Sequence, residues 1–331
     1  MKIRDTIGID VSKLKIDVHV YSSKAFEIFD NTDKRIKKML KWALKNSEYE
    51  QTEILFVFEH TGLYSERLAR VLSAENIAFS IVPGLAIKRS MGITRGKDDK
   101  IDAARIAQYG YRLRDEIKPS KLPATQIQSI KRLLTLRERL VRQRSGFKAS
   151  IKELLATLLT SENKVLIKCQ KQMLRVLTVQ ITKIEKEIKA EFTANGEINE
   201  MYKLVTSIKG IGPQIAIHLI VYSEGFTKFR TWRQFASYCG IAPFPNRSGS
   251  SIRGATKISN LANKKLKSLL DMGAKSAIQN CCEMKVYYDK RVNEGKNKRS
   301  TINIIRNKLL SRAFAVVKRK SPYVDVMKFA A

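Results

Sequence analysis

Two short apolar runs that each end in a carboxylate constrain this chain more than any other feature. Ile7-Gly8-Ile9 leads into Asp10, and Ile54-Leu55-Phe56-Val57-Phe58 leads into Glu59. Both runs read as buried strands, and a charge at the end of such a strand is costly unless something positive meets it there. A third acidic context follows in Lys97-Asp98-Asp99-Lys100-Ile101-Asp102-Ala103-Ala104-Arg105. Asp99 and Asp102 fall at i and i+3 of a predicted helix start, on one face, where acids also suit the helix dipole. Two strand ends and a helical acid pair can hold divalent cations against a phosphodiester.

Each acid also has an ordinary reading. Asp10 can be a strand-end turn residue, and an Asp at a helix start can be a cap. Glu59 is harder to dismiss, because it follows five apolar residues and precedes His60-Thr61-Gly62. The ordinary readings would all have to hold together for the set to mean nothing. Asp98 competes with Asp99, but Asp98 and Asp102 are i and i+4 and point from another side, so spacing favours Asp99. His60 is nearest the acids and reads as a structural hydrogen-bonding residue, while His19 and His218 lie in apolar segments and read as core.

The charge balance says what kind of substrate such a site would meet. The 331 residues carry 63 Lys plus Arg against 31 Asp plus Glu, a net of +32. Residues 1–120 hold 22 basic and 17 acidic side chains, net +5, and residues 121–331 hold 41 and 14, net +27. An excess of that size favours a polyanion, since each neutralised phosphate releases counterions. Cys169, Cys239, Cys281 and Cys282 show no CxxC spacing, which argues against zinc and for reduced thiols. The sequence opens without a signal peptide and has no apolar run near about 18 residues, so neither secretion nor membrane spanning is expected.

The hydrophobic period changes along the chain. Strands are predicted at Thr6–Asp10, Leu14–Val20 and around Ala25–Phe29, as an antiparallel meander. A helix at Arg35–Lys45, a strand at Glu53–Phe58, a helix at Ser65–Glu75 and a strand at Ala78–Val82 closed by Pro83-Gly84 follow. That alternation predicts an α/β domain with a mixed sheet over residues 1–120. From about 124, Leu133, Leu136, Leu140, Phe147, Ile151, Leu154 and Leu158 share a helical face, with a slip near Arg144; Leu174, Leu177, Ile181, Ile184 and Ile188 resume it. This predicts a helical hairpin or coiled coil over 121–200, serving either core packing or oligomerisation. Residues 201–325 read as mostly helical, with a loosely ordered tail from Lys318. They open on Ile208-Lys209-Gly210-Ile211-Gly212-Pro213, which resembles a helix-hairpin-helix DNA-binding hairpin, with Gly-rich amides available to a phosphate. The polar segment Pro245–Gly254 lies between apolar helices. A Ser flanked by Gly and by Arg247 and Arg253 can attack a phosphodiester, or the segment can simply bind phosphate; residues alone do not choose between Ser248, Ser250 and Ser251.

Taken in order, Ile7-Gly8-Ile9-Asp10-Val11-Ser12-Lys13, Glu59-His60-Thr61-Gly62, Lys97–Ala103 and Ser248-Gly249-Ser250-Ser251-Ile252-Arg253-Gly254 resemble the motifs of the DEDD transposases. These form the insertion-sequence family numbered one hundred and ten, related to the Piv and MooV DNA invertases, and the resemblance runs nearly end to end. It implies a RuvC-like (RNase H-like) α/β N-terminal domain, a helical coiled-coil linker and a mostly α-helical C-terminal transposase domain. By the same resemblance Asp10, Glu59, Asp99 and Asp102 would ligate Mg²⁺, or Mn²⁺ in its place. Ser248 would be the nucleophile that forms a phosphoserine link to DNA. From the residues themselves, Lys209, Gly210 and Gly212 of the hairpin-like turn and Arg247 and Arg253 are candidates for contact with nucleic-acid phosphates. The resemblance further implies donor and target DNA selected by a structured guide (bridge) RNA, dimers pairing into a tetramer whose active sites draw on two protomers, and a cytoplasmic, nucleoid-associated protein of a bacterium or archaeon. The extra Ala104 before Arg105 departs from the family's commoner spacing and leaves that Arg's role open. Two other readings stand beside it: a RuvC-type Holliday-junction nuclease in which water attacks, and a non-catalytic nucleic-acid-binding protein.

Overall fold

A computed structural model describes residues 2–92, 99–157, 163–248 and 252–325; the side chains of Asp99, Arg247, Ser248, Ile252, Arg253 and Ala255 lie outside that description. The chain divides into two compact units, Met1–Leu122 and Pro123–Ala331.

The first unit is a five-stranded sheet with helices on both faces. Its strands are β1 (Asp5–Val11), β2 (Lys15–Val20), β3 (Phe26–Asp30), β4 (Ile54–Glu59) and β5 (Phe79–Val82), in the order β3-β2-β1-β4-β5. The first three form an antiparallel meander, while β1–β4 and β4–β5 are parallel. The mixed sheet matches the expectation from the period-two runs. One face buries Ile7, Ile9, Ile16, Val18, Phe56 and Phe58 under α1 (Asp33–Lys45) and α2 (Leu63–Ala74). Helix α1 starts where Thr32 accepts a hydrogen bond from the Arg35 amide, and it packs through Ile36, Met39, Leu40 and Ala43, at i, i+3, i+4 and i+7.

The other face is covered by α3 (Gly84–Ser90) and α4 (Asp99–Arg112). Pro83-Gly84 reads as a turn in sequence, yet Pro83 caps α3 and the chain continues as helix. Helix α4 lies unusually close to β1. A Cβ on Gly8 would come within 2.2 Å of the Ala107 amide nitrogen and 2.3 Å of the Ala103 carbonyl oxygen. Thr6 Oγ1 donates to the Ala107 carbonyl at 2.8 Å, and a Cβ on Gly110 would meet Val57 at 2.8 Å. At the opposite end of the sheet Asp5 is fully buried and accepts hydrogen bonds from the amides of Thr6 and Ser22 and the hydroxyls of Ser22 and Ser47. That satisfies a charge that would otherwise be costly there.

Among the described residues the second unit is helical apart from one pair of antiparallel strands. Helices α5 (Thr125–Thr157) and α6 (Lys164–Ala194) run antiparallel, so that Arg137 meets Glu185 and Gln126 reaches the Glu191 carbonyl. Their base packs Ile127, Ile130 and Leu134 against Ile184, Ile188 and Phe192, in a core shared with α7 (Gly196–Thr206) and α8 (Pro213–Tyr222). Leu136, placed on the packing face by sequence, is exposed, while Leu133 and Leu140 are only partly buried. The register is set by Ile127, Ile130 and Leu134, which the leucine pattern did not include. Helices α9 (Trp232–Tyr238), α10 (Lys264–Asn280), α11 (Cys282–Asn293) and α12 (Lys298–Arg319) complete the unit around Leu219, Phe235, Leu270, Leu309 and Ala313. Between α9 and α10 lie β6 (Pro243–Ser248) and β7 (Ile252–Ile258), paired antiparallel. The polar segment Pro245–Gly254 between the helices is therefore carried largely on paired strands, with residues 249–251 outside the described residues. From Lys318 to Asp325, where the described residues end, the chain is not loose either. The Tyr323 amide donates to Ser207 Oγ, its hydroxyl donates to Glu283, and Asp325 pairs with Lys209. All four cysteines are free thiols, and no helix among the described residues is long and apolar enough to cross a membrane.

Two outcomes follow from this packing. Gly8→Ala forces backbone of α4 away from β1 and should destabilise the first unit by about 1–3 kcal/mol, measured by denaturant unfolding. His19 is buried on β2, its pKa held below the ordinary 6.5 by burial and then by Lys24 and Lys100, against an opposing Asp5. The unfolded chain therefore takes up this proton at higher pH than the folded one. Stability from this group is complete above about pH 6.5 and falls as the pH drops below it, by at most about 1.4 kcal/mol per pH unit. His19→Gln should flatten that part of the stability–pH curve.

Candidate active site

The candidate site is built at the carboxyl ends of the parallel strands, where open α/β sheets offer a crevice to ligands. Ile9 and Phe58 are register partners on β1 and β4, so the next residues, Asp10 and Glu59, stand side by side. Side chains alternate along a strand. Ile7, Ile9, Phe56 and Phe58 point to the α1–α2 face, and Gly8 abuts α4. Asp10 and Glu59 therefore share the α3–α4 face, each partly buried.

Neighbouring elements close in on this pair. A Cβ on Gly84 would lie 2.0 Å from Glu59 Oε1, so the carboxylate packs on bare backbone at the first turn of α3. The partial positive charge of a helix start favours an anion in that position. Because Ala103 and Ala107 of α4 face Gly8 while Gly110 faces Thr6 and Val57, α4 runs antiparallel to β1. Its first turn, with Asp99 and Asp102, thus lies toward the Asp10 end. Asp102 is partly buried and pairs with Arg105 Nη1 at 3.0 Å, which gives the Arg at the altered spacing a place beside the acids. The Asp99 backbone opens α4 while its side chain lies outside the described residues, as does Asp98. No group of three or more potential ligands is close enough to hold a metal ion among the described residues.

One acid was missed in sequence. Asp17 is the register partner of Asp10 on β2 and is buried. Its only sequence signal is a carboxylate within the apolar alternation of Leu14–Val20. Like charges directly opposite one another repel, so Asp17 adds to the negative potential around Asp10. His60 follows Glu59 and is exposed; its Nδ1 accepts from the Gly62 amide at 3.4 Å, a local turn contact.

In the second unit, the serine hairpin places Ser248 at the last position of β6, opposite Ile252, with Arg247 opposite Arg253. Their side chains, and Ser250 and Ser251 altogether, lie outside the described residues. The helix-hairpin-helix-like turn is present between α7 and α8. Lys209 Nζ is engaged by Asp325 at 2.9 Å, which raises the lysine's pKa through that hydrogen bond. Gly210 has φ 95° and its carbonyl crowds Gly273 of α10, so glycine is required there by packing. Gly212 caps α8 and is exposed. His218 is fully buried as expected, its Nδ1 donating to the Gln214 carbonyl and its Nε2 facing Glu138.

Comparison with known proteins now bears on this arrangement. The DEDD transposase model of IS110 elements matches residues 7–159, and the model of the transposase IS116/IS110/IS902 family matches residues 202–289. The chain belongs to the IS110 transposase family. It is similar to the pilin gene-inverting protein of Moraxella bovis, 28% identical over 96% of this chain and 97% of that protein. The homologue from Moraxella lacunata matches to the same extent. A probable family 20 transposase of Pseudomonas aeruginosa is 25% identical over 69% of this chain and 74% of its own length. The transposase therefore acts on DNA, and its strand-end acids fall within the first matched segment.

A Gly84→Ala substitution isolates the Glu59 carboxylate from the fold. The added methyl displaces only a side-chain end, so unfolding free energy should stay within about 1 kcal/mol of the parent. Moving Glu59 should lower divalent-metal affinity or DNA strand cleavage by about 10–100-fold, read by metal titration and by a cleavage assay.

Proposed function

We propose that this transposase is a RuvC-like, metal-dependent DNA recombinase that exchanges strands through a covalent serine–DNA intermediate. The reading rests above all on Asp10 and Glu59 emerging side by side on the α4-covered face of the sheet. Hard carboxylate oxygens from two strand ends and one helix start suit Mg²⁺ or Mn²⁺, and Asp10, Glu59, Asp99 and Asp102 would hold the ion. A cation bound there neutralises the scissile phosphate and lowers the pKa of an attacking hydroxyl.

Ser248 supplies that hydroxyl. Its Oγ bonds to phosphorus, the phosphodiester P–O bond breaks, and the proton ends on the departing strand's hydroxyl. A hydroxyl of a second strand then attacks the phosphoserine and releases the serine, conserving the bond energy throughout. Arg247 and Arg253 contact the phosphates of the strand, and the Lys209–Gly212 turn contributes a further backbone contact at exposed Gly212. The net +27 of residues 121–331 grips nucleic acid without reading sequence. A structured guide RNA pairs with donor and target DNA and supplies the specificity. The chain works as dimers that join into a tetramer, in three functional regions at 1–120, 121–200 and 201–325. Similarity to a pilin gene-inverting protein extends the reading to inversion as well as insertion.

Ser248→Ala should abolish both strand transfer and the protein-linked DNA detected by intact mass, while Ser250→Ala and Ser251→Ala leave the adduct in place. A junction nuclease that uses water would keep cutting after Ser248→Ala. Recombination that survives Asp10→Ala or Glu59→Ala, or that proceeds without divalent metal, would sink the proposal. Sequencing RNA that co-purifies with the chain tests the guide.

A further inference from the structure

Of the six large apolar side chains exposed among the described residues of the first unit, five stand at the carboxyl end of its sheet: Leu14, Leu63, Tyr64, Leu85 and Ile101. Each follows from the element that also presents an acid or its neighbour. Leu14 is on the turn after β1, Leu63 and Tyr64 open α2 after β4, Leu85 adjoins Gly84, and Ile101 lies between Asp99 and Asp102. The sixth, Ile28, is on edge strand β3. Singly exposed leucines are ordinary, but five at one end of one sheet are not scattered. Leu14 and Leu63 are 72% and 69% exposed, so neither contributes appreciably to the core.

Their presentation is rigid. Ser12 Oγ accepts from the Lys15 amide and donates to the Lys15 carbonyl, closing a tight turn with Lys13 and Leu14 at its tip. Asn31 is buried, and its amide group donates to the Ser12 carbonyl at 2.9 Å and the Tyr64 carbonyl at 3.3 Å, while its backbone amide donates to the Leu14 carbonyl. One buried asparagine thereby braces both apolar segments against each other. Exposed lysines interleave with them, Lys13 and Lys15 beside Leu14 and Lys100 beside Ile101.

We infer that this collar receives a nucleic-acid strand whose bases are unpaired next to the scissile phosphate. The inference rests on the proposed site and names the substrate form that the site takes. Tyr64 offers an aromatic face on which a base can stack, the aliphatic side chains offer apolar contact to unpaired bases, and interleaved lysines meet the phosphates between them. An intact duplex hides its base faces and would set Leu14, Leu63 and Tyr64 against a polar backbone. The chain thus selects DNA opened at the point of exchange, through Leu14, Leu63 and Tyr64 and independently of base identity.

The test uses the full chain in chelator, where no cutting occurs, with two synthetic DNA duplexes of equal length. One is fully paired, and the other carries a short central run of mismatched thymines next to 2-aminopurine. The parent chain should bind the opened duplex about tenfold or more tightly, with a change in 2-aminopurine fluorescence. Leu63→Ser combined with Tyr64→Ala should reduce that preference to within about twofold and leave paired-duplex affinity unchanged. Should that double variant fail to fold, Leu14→Ser provides the same readout from a solvent-facing turn. A parent chain without the preference, or variants that keep it, would overturn the inference. So would a variant that changes only the oligomeric mass, which would make the collar a protein interface. Loss of metal-dependent cutting in the parent chain would instead fall on the proposed function and leave the binding preference standing.

Discussion

The approach of α4 to β1 at Gly8 is the contact on which the candidate site depends. With no side chain at that position, the Ala103–Ala107 backbone settles directly on the strand. Thr6 then adds a side-chain hydrogen bond to the Ala107 carbonyl, and Gly110 lets the far end of the helix approach the Val57 side chain. A helix held at that distance cannot tilt without breaking backbone contacts, because close-packed interiors transmit small displacements rather than absorb them. Its first turn is carried to the end of the strand where Asp10 and Glu59 emerge.

Placing several carboxylates there works against stability, and the fold offsets it locally. Glu59 lies at a helix start, and Asp102 takes Arg105. Asp17 increases the negative potential further from the neighbouring strand. Such concentration of like charge is a poor way to hold a sheet together. Asp5, by contrast, is a buried carboxylate whose oxygens are occupied by four protein donors, and it serves only to tie strand to loops.

The second unit divides its polar residues in a similar way. Lys209 and Gly210 read in sequence as phosphate-facing, yet one pairs with Asp325 and the other makes room for α10. Only Gly212 of that turn remains open at a helix start. The serine segment is carried on paired strands and so has a fixed register at its base, with Arg247 across from Arg253.

The sequence by itself determined the mixed sheet, the acids at Asp10 and Glu59, the long helical hairpin and the excess of positive charge. Each is written in local pattern: strand alternation, an apolar run with a charged end, a three–four repeat, a count of side chains. The tertiary structure alone decided what depends on contacts between distant residues. Asp17 became part of the acid cluster because antiparallel pairing set it opposite Asp10, and Leu136 was left exposed because Ile127, Ile130 and Leu134 took the buried register. The tail to Asp325 was fixed by partners more than a hundred residues away, Ser207 and Lys209 among them. Pairing and packing of this kind are chosen by the whole core at once, and no window of sequence contains them.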